Sequence, residues 1–112
     1  MNEKELLEFA AKAIGIEIGN GRYFADWGFE IKDTSHFWNP LTDDGDALRL
    51  AVKLDLAVTP YPIYNTPKHS VLAQLKNLET SRFEVMELHG VDPYAATRRA
   101  IVRAAAEIGR TK

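Results

Sequence analysis

Cysteine is absent from the 112 residues, so neither a disulfide nor a thiolate metal site can form. The three histidines, His36, His69 and His89, show no HxH or HxxxH spacing, so no familiar metal-binding pair is present. No apolar run is long enough to cross a bilayer. The opening MNEKELLEF sets acids beside its lysine and has no apolar signal core, which argues against secretion and for the cytoplasm. Basic excess is missing as well. The formal net charge is −2, whereas a nucleic-acid binder usually carries a strong positive surplus. There is no GxSxG elbow and no phosphate-binding P-loop.

What is present is ordinary for a globular chain: 46% hydrophobic, 27% charged and 10% aromatic residues. The length favours one domain over residues 1–112, large enough for a core without staples. Charge is unevenly spread. Residues 1–46 hold four Lys/Arg against ten Asp/Glu, and residues 92–112 hold five against two. An acidic front and a basic tail can attract within one chain or between copies, so a homo-oligomer is expected.

Local patterns place the elements. Asn2 and Glu5 have capping-box spacing ahead of a helix over 2–14, and Gly15 is placed to end it. Ile16 and Ile18 alternate with Glu17 as a short strand. Gly19-Asn20-Gly21 reads as the hairpin turn, with Arg22 to Ala25 returning. Extended chain follows at 28–31, then loop over 32–41. A second helix runs from about Asp44 to Leu54 on the stripe Ala47, Leu50, Ala51 and Leu54, widened by Leu48 and Val52. Pro60 and Pro62 confine residues 55–67 to an edge strand or an extended loop. KHSVLAQLKN and SRFEVMELHG read as an antiparallel hairpin. The last helix starts at Asp92-Pro93, a good N-cap followed by proline at the first helical position, and Gly109 reads as its stop. The order is α-β-β-α-β-β-α with one further extended piece, an α/β (α+β) domain with three helices.

The stretch WNPLTDDGD, Trp38 to Asp46, concentrates the candidate site. A calcium loop of EF-hand type fails in register, because Gly45 sits inside acids at 43, 44 and 46. Thr42, Asp43 and Asp44 are all suited to cap the helix, and acids in its first turn meet the positive end of the dipole. Asp46 can pair with Arg49. One cap needs one side chain, however, and Trp38, Asn39 and Pro40 make a rigid approach. A ligand-facing role is therefore weighed for Trp38, Asn39, Thr42, Asp43 and Asp46. Arg98 joins them, because it lies at the edge of the apolar face of the last helix. It can snorkel, or it can clamp a phosphate or carboxylate. Arg99, Arg103 and Glu107 read as a solvated face. Trp27 and Trp38 read as core or interface.

WNPLTDDGDALRLAVKL, DPYAATRRAIVRAAAEIG and LLEFAAKAIGIEI together resemble the small phage and prophage proteins of the ABA-sandwich type, including the NinX-like proteins. That resemblance covers most of the chain except 55–88. It implies a three-layer α/β/α sandwich around a small mixed or antiparallel sheet, and a phage accessory protein made in the bacterial host cytoplasm. It brings no catalytic site, metal or cofactor with it.

The expectation from all this is a non-enzymatic accessory or counter-defence protein that binds a host protein or a small anionic, nucleotide-like ligand. Its pocket would lie near Trp38–Asp46 with Arg98 close by. The alternatives are a small metal-dependent hydrolase using Asp43, Asp44 and Asp46, and a nucleic-acid-binding regulator using the last helix.

Overall fold

A computed structural model describes residues 1–61, 70–75, 85–88, 90 and 92–112, and the side chains of all of these except 19–21, 61 and 75. Among the described residues, three helices and two antiparallel three-stranded sheets make an α+β sandwich, as expected. Helix α1 spans Glu3–Ile14, α2 Asp44–Lys53 and α3 Pro93–Arg110. The first sheet has the order β1 (Ile18–Phe24), β2 (Gly28–Ile31), β3 (Phe37–Trp38). The second has the order β4 (Leu56–Tyr61), β5 (Ser70–Leu75), β6 (Val85–Leu88). The strands thus split into two separate sheets, and β3 is carved from a stretch that reads as loop.

The helix starts follow local chemistry. Asn2 and Glu5 form a complete capping box on α1, and Gly15 closes that helix in a left-handed cap. Asp43 caps α2, and Asp92 caps α3 with Pro93 behind it. Two expectations fail. Gly19-Asn20-Gly21 is no turn: β1 runs straight through it, and the register slips between Ile18 and Tyr23. The chain reverses instead at Ala25–Trp27, where the Trp27 amide donates to the Phe24 carbonyl at 3.1 Å and Gly28 adopts φ +83°. A side chain at Gly28 would collide with the Trp38 carbonyl of β3, so the position demands glycine twice over.

Gly109 does not stop the last helix. It lies inside α3, which continues to Arg110. It faces the Phe9 carbonyl of α1 so closely that a Cβ would overlap it. The core centres on α3. Ala100, Val102, Ala104, Ala105 and Ala106 are fully enclosed, alongside Leu7 of α1, Leu50 of α2 and Val71 of β5. Alanines let α1 and the second sheet approach α3 from different sides. At the far end, Lys112 Nζ donates to the Ala13 carbonyl at 2.8 Å and ties the two helix ends together. Among the described strands of the second sheet β4 is an edge, with Pro60 opposite Val71, as that proline requires. β5 and β6 pair antiparallel with Ala73 opposite Val85, as read from the sequence. Pro62, Tyr64, Pro67, His69 and His89 lie outside the described residues.

Candidate functional site

Asn39 organises the approach to α2. Its side-chain oxygen accepts from the Leu41 amide at 3.0 Å, and its carbonyl accepts from the amides of Thr42 at 3.1 Å and Asp43 at 2.9 Å. Pro40 fits this turn because the bonds need no amide from it. The turn delivers Asp43 to the cap position, where its carboxylate accepts from the Asp46 amide at 2.8 Å. Asp46 reaches back: one oxygen accepts from the Asn39 amide at 3.0 Å, the other from Arg49 at 2.8 Å. Asp44 points the other way, to Arg98, whose Nη1 lies 2.6 Å from it while Nε donates to the Leu41 carbonyl at 2.8 Å. Arg98 therefore does meet the acidic cluster, through Asp44. Each of the three acids has a named partner.

The six expected site residues do not converge on one cavity. Helix α2 stands between two clefts and offers each an i, i+3, i+4, i+7 row. Asp44, Ala47, Leu48 and Ala51 border a groove of about 270 Å³, completed by Val58 of β4 and by Tyr94, Thr97, Arg98 and Ile101 of α3. Asp46, Arg49, Leu50 and Lys53 border a cleft of about 460 Å³, completed by Ile14, Ile16, Ile31, His36, Phe37 and Trp38. Arg98 thus belongs to the groove, and Trp38 and Asp46 to the cleft. Asn39, Thr42 and Asp43 line neither. Trp38 is buried, paired across from Phe29, and forms floor.

The groove is apolar apart from its charged rim. Leu48 is 64% exposed, Val52 beside it 71% and Tyr94 72%. Leu48 and Val52 thus face solvent and do not widen the buried stripe. The sequence did carry a signal for this, because α2 has apolar residues on more of its circumference than one core contact uses.

The basic face of α3 is also engaged. Arg99 lies 3.5 Å from Glu87 of β6, and Arg103 pairs with the same carboxylate, which is itself largely buried. Glu107 pairs with Arg110 at 3.0 Å, while Arg99 and Arg103, expected on a solvated face, clamp β6. Trp27 is exposed at the β1–β2 turn, in edge or tilted contact with Phe24 and Phe37. Burial raises the Tyr23 phenol above its ordinary value, and Glu3 and Asp26 add to the shift. Among the described residues no three His, Asp or Glu side chains converge so as to hold a metal ion, and no helix is long and apolar enough to cross a membrane.

No protein-family model, curated protein or solved structure matches the chain.

Proposed function

We propose that this protein acts by binding, and that the groove between α2 and α3 receives apolar side chains of a polypeptide partner. The observation that carries the reading is the exposed Leu48 and Tyr94 on a groove already floored by Ala47, Ala51 and Ile101, with exposed Val52 next to it on α2. An apolar surface of this kind, rimmed by a charged pair, is the usual form of a protein interface. A volume of about 270 Å³ falls just below the range of small-molecule pockets, which starts at about 300 Å³. It suits one or two inserted side chains. Pro60 in the neighbouring edge strand discourages strand addition, so a helical partner face fits better.

Binding is preferred over hydrolysis because Asp43, Asp44 and Asp46 each already have a structural partner. An anion clamp at Arg98 is likewise weakened, since Asp44 and the Leu41 carbonyl hold its guanidinium. A second copy is the first partner to test, because the exposed Leu48 and Tyr94 of two copies can cover each other across a two-fold axis. The resemblance to ABA-sandwich phage proteins supports an accessory role inside a bacterial cell. Sedimentation at rising concentration should show self-association of the native chain and a monomer for Leu48→Glu with Tyr94→Ala. Equal masses for the two would remove the groove as the self-association face.

A further inference from the structure

We propose that the larger cleft, between α2 and the first sheet, binds a small carboxylate with an apolar, preferably aromatic, body. Its volume of about 460 Å³ lies inside the usual range for small-molecule sites, about 300–1,000 Å³. Its floor is already fixed, because Trp38 and Leu50 are buried. Half-buried Ile16, Ile31 and Phe37 supply the walls. An apolar body therefore finds a preformed seat.

The charge at the rim selects the head group. Asp46 and Arg49 are satisfied by each other at 2.8 Å, and the Arg49 guanidinium is folded back over Gly45 at the helix start. Lys53, one turn further along the same face of α2, has no partner among the described residues and lines the cleft. One positive charge is thus left over beside an apolar seat. His36, on the opposite wall, is also without a side-chain partner among the described residues and can donate a hydrogen bond. A doubly charged phosphate monoester fits less well, because the Asp46 carboxylate borders the same cleft and repels additional negative charge. This site is separate from the α2–α3 groove and stands or falls independently of it.

The test uses Trp38 as its own reporter. Trp27→Phe leaves Trp38 as the sole tryptophan of the two and keeps an aromatic ring against Phe37. Phenylacetate is titrated against its emission, with phenylacetamide, acetate and phenyl phosphate in parallel, and calorimetry on the unsubstituted protein repeats the series. Saturable binding of phenylacetate is expected, with acetate and the amide far weaker and phenyl phosphate weaker than the carboxylate. Lys53→Gln should weaken phenylacetate about tenfold, the loss of one charge-assisted hydrogen bond. Lys53→Arg should bind close to normally, and Leu48→Glu should leave binding unchanged. Absence of saturation, equal binding of acid and amide, tighter binding of the phosphate, or an unaffected Lys53→Gln would each overturn the proposal.

Discussion

Arg98 shows how one side chain can hold a site together without being free to act in it. Its side chain is 17% exposed, whereas that of its partner Asp44 is 76% exposed. The two halves of its bonding are therefore unequal. The bond to the Leu41 carbonyl is shielded, and the ion pair is open to water and ions. Arg98→Ala should cost about 1–3 kcal/mol in urea unfolding, and Asp44→Asn less than about 1 kcal/mol. Equal losses would mean that the ion pair, not the carbonyl bond, carries the contact. Tyr23 gives a second prediction at this scale. Its proton is held more tightly in the folded chain than in the unfolded one. Stability should therefore fall as pH rises from about 10 through the raised value, and Tyr23→Phe should flatten that decline in unfolding midpoints. Caps were legible in the sequence because their partners lie two or three residues away, as Asp43 and Asp46 do. The partner of Arg98 was not, because 54 residues separate it from Asp44.

At the scale of elements, sequence punctuation misled where a glycine served packing. Gly109 has the composition of a helix stop, yet its missing Cβ is what lets α1 and α3 touch. Gly109→Ala should thus lower stability by at least about 3 kcal/mol, well beyond a change in helix propensity. Thermal unfolding beside an exposed alanine control would check it, and a change within 1 kcal/mol would show that the helices separate easily. Gly19-Asn20-Gly21 misled in the same way. Its turn chemistry was overruled by the Trp27–Phe24 bond and by Gly28 lying against β3. The α3 helix itself, the edge character of β4 and the β5–β6 pairing were readable, because periodicity, prolines and alternation all act within a few residues. The two clefts were not. Each needs elements distant in sequence to settle against opposite faces of α2, and no local pattern specifies that.

Over the whole molecule, the uneven charge resolves into contacts. Each cation from Arg98 onward is held: Arg98 by Asp44, Arg99 and Arg103 by Glu87, Arg110 by Glu107, and Lys112 by the Ala13 carbonyl. Glu87→Gln would release two arginines onto one face. Its retention on a heparin column should rise above that of the native chain and collapse as salt is added. Unchanged retention would show that the clamp does not mask the basic face. The central place of α3 has a further consequence, in time instead of space. It is made after every element it touches. Until its last turns leave the ribosome, Leu7, Leu50 and Val71 have no helix to close over them. Two sheets whose strands have all been made must wait in a crowded cell with their apolar sides open. The core therefore cannot close until α3 has been made, and the interval before that is when this chain is most exposed to chaperones and proteases.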